Sequence, residues 1–172
     1  MRNKSEKSRT LYFYILIPVI VAAFSCGIAL YHHFRTTVNL DKLAEHLLSS
    51  SVYYQDMAEI SRDGIAARYG IDASDIAESK AYAASDGTAR EFVLLKAVSV
   101  EAAGDMMDAL TGYSLGLMDR YSGKSNKEYE RVKGYVISRT GEYVIFTISD
   151  ENGTGSKAAK EYLDSTLYDQ TR

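Results

Sequence analysis

The sequence predicts an α+β protein with an N-terminal transmembrane helix followed by one domain. We expect that domain to hold an antiparallel four-stranded sheet of two hairpins, packed by helices on one face. Three observations predict this fold. Residues 11–34 are mostly apolar and contain no Asp, Glu, Lys or Arg, and two pairs of β-branched and aromatic runs each flank a turn that contains glycine. Between these pairs, Val100 to Tyr121 repeats apolar residues every three or four positions, as an amphipathic helix does.

Segment 11–34 is long enough to cross a membrane. It contains no Asp, Glu, Lys or Arg, and as a helix its 24 residues reach about 36 Å, against about 30 Å of bilayer hydrocarbon. Residues 1–10 carry four basic side chains against one acidic one, which predicts a cytoplasmic tail. We therefore expect a single-pass anchor in the cell membrane, with the N-terminus cytoplasmic and the C-terminal domain extracytoplasmic.

Two other fates are open to this segment. A signal peptide could be cleaved after Ala23-Phe24-Ser25, or a lipoprotein could be acylated at Cys26. Phe24 is large where a lipoprotein signal has a small residue, and apolar residues continue beyond Cys26 as far as Tyr31. These features favour an uncleaved anchor. All three fates place the rest of the chain outside the cytoplasm.

The exported part has the size and composition of one folded domain. Residues 36–172 carry 15 Lys and Arg against 22 Asp and Glu, a net charge of −7, which argues against a nucleic-acid partner. The chain's one cysteine, Cys26, lies in the predicted anchor. A disulfide or a thiolate zinc site within the domain is therefore excluded.

The predicted elements run helix, hairpin, helix, hairpin, helix. Residues 35–52 form a juxtamembrane helical linker with leucines at helical spacing, and the domain proper spans 53–172. Its first helical segment is Met57 to Tyr69, which ends at Gly70.

The two hairpins lie on either side of the middle helix. The first joins strands 79–84 and 91–99 through an Asp-Gly turn, and the second joins strands 132–138 and 142–149 through Gly141. A last helix is indicated by an apolar stripe at Ala158, Ala159, Tyr162, Leu163 and Leu167.

Residues from about Tyr69 to Ala159 resemble a known family. The stretches that carry the resemblance are Tyr69 to Asp72, Arg90 to Ala97, Glu128-Tyr129 and Thr140 to Val144. They are similar, in this order, to a bacterial family common in clostridial lipoproteins and single-pass proteins and catalogued as domain of unknown function number 4358. The resemblance implies an extracytoplasmic α+β domain and no particular activity.

One loop has the spacing of a calcium site. Its oxygen-bearing side chains would come from Asp150, Asn152, Thr154, Ser156 and Glu161. Lys157 stands where such a loop has an apolar residue, and the loop follows a strand. The favoured interpretation is a polar strand-to-helix loop in which Ser156 or Thr154 caps the helix, so we expect no metal and no cofactor.

Catalytic patterns are scarce. No histidine follows His46, so a Ser or Cys nucleophile in the domain would have no imidazole base, and the acidic residues are dispersed. Tyrosine is frequent, and Tyr82, Tyr129 and Tyr135 suit either a recognition surface or the edge of a modest core.

The sequence favours a non-catalytic module that binds a protein or cell-wall partner at the cell surface. The alternatives are a carboxylate-based hydrolase acting on a cell-envelope substrate and a structural subunit of a membrane complex. Carboxylates gathered in a concave pocket would favour the hydrolase, whereas a flat tyrosine-rich surface would favour the binding module.

Overall fold

The computed structural model describes residues 38–50 and 54–169, which form an α+β domain as predicted. The predicted cytoplasmic tail 1–10 and anchor 11–34 lie outside the described residues. None of the helices within the described ranges is both long enough and apolar enough to cross a bilayer. The described elements are α1 (Leu40–Ser50), β1 (Met57–Glu59), α2 (Arg62–Tyr69), β2 (Ile76–Ala84), β3 (Glu91–Ala97), α3 (Val100–Tyr121), α4 (Asn126–Lys133), β4 (Val136–Thr140), β5 (Tyr143–Ile148) and α5 (Thr154–Asp169).

The sheet has five strands in the order β1-β2-β3-β5-β4, and all its pairs are antiparallel. The prediction of four strands was wrong because β1 lies in a segment assigned to a helix. The side chain of Ser61 accepts a hydrogen bond from the backbone N–H of Gly64 and caps α2 at this point. The residues before Ser61 are therefore outside the helix, and Met57–Glu59 pair with β2.

Helices cover both faces of the sheet, not one face as predicted. On the first face, α2 and α3 pack on Val93, Leu95 and Phe146 and form the first core. On the second face, α1 and α5 pack on Phe92 and Leu94 and form the second core. The reason is that β3 and β5 are apolar at nearly every position, and successive strand residues point to opposite faces, so both faces must be covered.

Helix α1 belongs to the folded unit. The segment predicted as a linker is helical, and its buried side chains Leu40, Leu43 and Leu47 lie in the second core. Just before it, the backbone N–H of Val38 donates to the hydroxyl of Tyr143 at 3.2 Å. Among the described residues, the packed unit therefore includes Val38 and α1, which lie inside the predicted linker 35–52.

The second hairpin is shorter than predicted because a helix precedes it. Ser125 caps α4 by accepting from the backbone N–H of Glu128 at 3.3 Å, and Val132 lies in this helix, buried in the first core. Strand β4 starts only at Val136. The middle helix, by contrast, has the predicted bounds, with Ser99 as its N-cap.

Candidate functional site

A buried carboxylate lies where β3 meets helices α2 and α3. Glu91 is the first residue of β3, and its side chain points to the same face as Val93 and Leu95, toward the first core. It is 0% exposed. A fully buried Glu is unusual unless it is paired, so its partners define the candidate site.

Three side chains donate to one oxygen of Glu91. Oε2 accepts from Arg68 Nη2 at 2.7 Å and Arg68 Nε at 3.1 Å, from the hydroxyl of Tyr69 at 3.1 Å and from the hydroxyl of Tyr113 at 3.3 Å. Arg68 and Tyr69 come from the last turn of α2, which ends at Gly70 in a left-handed conformation. Tyr113 comes from α3, so the carboxylate ties both helices to the sheet.

The aromatic rings help to position the guanidinium. Tyr69 and Tyr113 meet edge to face, with their centroids 4.8 Å apart. The Cζ atom of Arg68 lies 5.8 Å from the centroid of Tyr69 and 5.7 Å from that of Tyr113, within cation–π range. Arg68 is therefore held by a carboxylate and by two ring faces.

Burial controls the ionisation of this site. It raises the pKa of the Glu91 carboxyl above its ordinary value, although Arg68 and the two tyrosine hydroxyls oppose the shift. Burial also raises the pKa of Tyr69 and Tyr113, with Glu91 adding to both shifts. Burial alone would lower the pKa of Arg68, but attraction by Glu91 raises it, so the guanidinium stays charged.

The site is asymmetric. Oε1 of Glu91 is buried and has no hydrogen-bond partner among the described residues. Arg68, on the other side, keeps 42% of its side chain exposed. The Arg68 side chain is therefore partly exposed, whereas the carboxylate that it pairs with is buried in the core.

The hairpin turn before Glu91 is held by hydrogen bonds from α4 and by hydrogen bonds within the turn. Glu128 Oε2 accepts from the backbone N–H of Ala89 at 2.7 Å, and its other oxygen pairs with the buried Arg131. Within the turn, Asp86 accepts from the hydroxyl and the backbone N–H of Thr88, which lowers the pKa of Asp86 to about 2. These hydrogen bonds thus hold the N-terminal end of β3, where Glu91 lies.

The loop that has the spacing of a calcium site supplies hydrogen-bond acceptors at the start of α5. Asp150 accepts from the backbone N–H of Gly155 at 2.9 Å and of Asn152 at 3.3 Å, and from the hydroxyl of Ser149 at 2.7 Å. Partial burial raises its pKa, but these hydrogen bonds outweigh burial and lower it. The carboxylate thus satisfies backbone donors at the start of α5.

The other residues at calcium-loop spacing differ in burial. Ser156 is buried and bonds to Ser149 and to the carbonyl oxygen of Thr147, whereas Thr154, Asn152 and Glu161 are exposed. Ser156 or Thr154 was predicted as the cap; the acceptors are instead Asp150, for the backbone N–H of Gly155, and the hydroxyl of Ser149, which accepts from the backbone N–H of Ser156 at 2.8 Å. Across residues 38–50 and 54–169, no group of three or more His, Cys, Asp or Glu side chains is placed to hold a metal ion.

The three tyrosines chosen from the sequence do not share one surface. Tyr82 stacks on Phe92 with centroids 5.0 Å apart and belongs to the second face of the sheet. Tyr135 lies on the first face, 6.5 Å from Phe146 between ring centroids, and Tyr129 is half-buried on α4. A surface that contains Tyr82 therefore cannot contain Tyr135.

Sequence reasoning missed the site at Glu91. The available signal was an acidic residue directly before four apolar residues of a central strand. An acid that the sheet places on a core face must find a cationic partner, and Arg68 lies at the end of the preceding helix. Two stretches that carry the family resemblance, one beginning at Tyr69 and one at Arg90, meet here.

The comparisons with known proteins give one match. The family model described as "Domain of unknown function (DUF4358)" matches residues 50–149, more than half of the chain, and this range includes every member of the Glu91 site. No curated protein and no solved structure matches the chain.

Proposed function

Since the chain belongs to the DUF4358 family of domains of unknown function, we propose that it is a membrane-anchored extracytoplasmic module that binds a partner at the cell surface. The location is supported by the apolar segment 11–34, the basic residues before it and the acidic, cysteine-free domain after it.

The observation that supports the binding role is that Arg68 is charged, held in place by its neighbours and partly exposed. Its charge is maintained by Glu91, its guanidinium lies within range of two ring faces, and 42% of its side chain is exposed. Preorganised Arg beside Tyr is the combination that dominates binding energy at protein interfaces. Little conformational entropy remains to be lost when such a side chain contacts a partner.

The charge of Arg68 indicates the chemistry of the partner. An exposed guanidinium pairs most strongly with a carboxylate, on which it can form two parallel hydrogen bonds. We therefore expect an acidic group on the bound protein or cell-wall polymer to contact Arg68.

The burial of Glu91 supports binding over hydrolysis. A carboxylate that acts as an acid or nucleophile must reach the substrate, and Glu91 is 0% exposed with one oxygen already occupied by four donor groups. Its position suits a group that orients Arg68.

Conservative replacement of Arg68 tests the proposal. The full-length chain and its Arg68→Lys variant are cross-linked on intact cells of the native host, and the captured partners are compared. Lysine keeps the charge but loses the planar, bidentate contact, so partner capture should fall several-fold. Arg120→Lys, an exposed position on α3, is the matched control and should capture as the parent chain does. Equal capture by Arg68→Lys and the parent would refute the role of Arg68.

Topology is tested separately. Protease added to intact cells should remove the domain while the N-terminal tail stays protected. A domain that survives on intact cells, but is digested once the cells are permeabilised, would overturn the extracytoplasmic location.

A further inference from the structure

One edge of the sheet is open to a further strand. Among residues 38–50 and 54–169, no strand lies beyond β4, whose five residues form that edge. We propose that two copies of this chain associate through this edge, with β4 of one copy pairing antiparallel with β4 of the other in one continuous sheet. This association needs neither the Arg68 contact nor the membrane anchor.

The backbone groups of β4 that face outward follow from its pairing with β5. The backbone N–H of Ala97 donates to the carbonyl oxygen of Glu142 at 2.8 Å, so residue 142 and every second residue after it bond toward β3. The residues between them bond to alternate residues of β4, beginning with Thr140 opposite Tyr143. Ile137 and Arg139 therefore direct their N–H and carbonyl groups away from the sheet, where a further strand would bond to them.

The opposite edge of the sheet is protected in the ways that natural proteins commonly use. Strand β1 has only three residues and follows Asp56, which has a positive φ of +57°. Beyond β1, strand β2 has a register shift between Ile76 and Glu78, and Arg62 Nη2 donates to the carbonyl oxygens of Ala73 and Ile76. Strand β4 has no proline and pairs with β5 in unbroken register, so its edge remains able to pair.

The one charged residue of β4 does not block its edge. Arg139 Nη1 donates to the carbonyl oxygen of Val100 at 3.1 Å, and a Cβ built on Gly104 would lie 3.6 Å from the same nitrogen. The guanidinium is thus directed toward the start of α3, on the first face. Ile137 lies on that face too, half-buried against the first core. Neither side chain is directed across the open side of the strand.

The outward backbone groups favour one register for the pairing. A symmetric pair of β4 strands can place Ile137 opposite Arg139 of the second copy, or opposite Ile137 of the second copy. The latter register also needs the N–H of Tyr135, which already donates to the carbonyl oxygen of Val132 at 2.9 Å. The former uses only the outward groups of Ile137 and Arg139 and forms four hydrogen bonds between the chains. We therefore expect this register, with Ser138 at the two-fold axis.

No two charged side chains face each other in this register. Ile137 faces Arg139, whose aliphatic stem packs on it, and Val136 faces Thr140, so that two β-branched residues meet. Ser138 faces Ser138 of the second copy in a pair without backbone hydrogen bonds, in which the two Cα atoms are about 4.5 Å apart. The edge is therefore complementary to itself in both its backbone groups and its side chains.

Disulfide trapping tests the contact and its register. In the full-length Cys26→Ser chain, Ser138→Cys puts the one remaining cysteine at the two-fold axis, where the Cα atoms are close enough for a disulfide. The matched control is Thr140→Cys, which is half-buried on the same strand and the same face. Two copies of residue 140 would be four positions apart along the paired strands, about 14 Å, which is too far for a disulfide.

Each chain is purified in mild detergent, oxidised with copper phenanthroline and run on a non-reducing gel, and thermal melts verify that it is folded. We expect most of the Ser138→Cys chain to become a covalent dimer and the Thr140→Cys chain to give at least tenfold less. Equal trapping at the two positions, or no trapping of a folded Ser138→Cys chain, would overturn the inference.

A second pair of variants tests the outward backbone donor. Arg139→Pro removes the outward N–H, whereas Arg139→Ala removes the same side chain and keeps the N–H. Sedimentation of the full-length chains over a range of concentrations should give a dimer dissociation constant at least tenfold larger for Arg139→Pro than for Arg139→Ala. Equal constants would show that the copies associate elsewhere, and a parent chain that is monomeric at every concentration would show that they do not associate. Either result would overturn pairing through β4.

Discussion

At the level of single residues, the burial of Glu91 is unfavourable by itself and is offset by its partners. Removing a carboxylate from water costs several kcal/mol, and the exposed fraction of Arg68 means that part of its charge is still screened by solvent. Oε1, buried without a partner, adds to the penalty. Burial consequently raises the pKa of the Glu91 carboxyl in the folded state, although Arg68 and the two tyrosine hydroxyls oppose the shift.

Stability should therefore depend on the ionisation of Glu91. Because its pKa is higher in the folded than in the unfolded state, the folded protein binds the proton more tightly. Between the ordinary Glu pKa and the raised folded value, increasing pH should lower the free energy of unfolding. Below that window the stabilisation is fully present, and Glu91 adds nothing to the pH slope because it is protonated in both states. Glu91→Gln should flatten this slope in urea melts across a pH series. An unchanged slope in the variant would contradict the assignment.

Two backbones touch at Gly153 and Gly134. Gly153 has φ +65°, and a Cβ built on it would lie 2.6 Å from the carbonyl oxygen of Gly134. Gly87 also has a positive φ, +80°, but nothing lies within 4 Å of its Cβ position. Among the glycines with positive φ in residues 38–50 and 54–169, Gly153 has both a left-handed backbone and a backbone oxygen where its Cβ would lie.

Alanine at these positions separates strain from contact. Gly87→Ala should lose about 1–2 kcal/mol of unfolding free energy, the cost of a left-handed conformation for a residue with a Cβ. Gly153→Ala should lose clearly more, because the backbones must also move apart. Chemical denaturation measures both. Equal losses of unfolding free energy in the two variants would mean that the backbones at Gly153 and Gly134 can move apart at no cost.

At the level of elements, the sequence predicted long helices well and short ones poorly. Val100 to Tyr121 contains six helical turns, so its apolar period is unmistakable within the segment. Residues 126–133 contain barely two turns, and Val132 fits a strand as well as a helix. The secondary structure of a short segment such as β1 depends on its surroundings: the helix cap at Ser61 follows it, and it pairs with β2.

The start of α5 offers a test of the loop's role. Asp150→Ala removes the acceptor for the backbone N–H groups of Gly155 and Asn152 and should cost about 1–2 kcal/mol of stability. Asp150→Asn, which keeps an acceptor oxygen, should lose less. Because the oxygens of Asp150 already accept from these donors, added calcium should leave the melting temperature of the parent chain unchanged. A rise in melting temperature on adding calcium would contradict this prediction and indicate that the loop binds the metal.

At the level of the whole molecule, α1 decides where the domain begins. Its buried leucines cover Phe92 and Leu94 on the second face together with α5, and a chain that starts at residue 53 would leave part of that face open to water. The helix was recognisable from leucine spacing, but nothing in that spacing indicated which surface it covers.

Truncation measures this contribution. A chain of residues 53–172 should melt at lower temperature than residues 38–172 and bind a hydrophobic dye that the longer chain does not. Within the full chain, Leu43→Ala should cost about 2–5 kcal/mol of unfolding free energy, the range for a buried leucine. Lys42→Ala, exposed on the same helix, is the control and should change little. Equal stability of the two truncated chains would show that α1 is dispensable.

The sequence by itself determined the α+β class, both hairpin turns, the bounds of α3 and the resemblance to the DUF4358 family, because each depends on residues close together in the chain. It left the number of strands, the covering of both faces and the Glu91 site to the tertiary structure. These features depend on pairings between distant segments: β1 with β2, α1 with the second face, and Arg68 and Tyr113 with Glu91. Spacing along the chain records which face of an element is apolar, but only packing decides which partner covers that face and which buried charge is neutralised.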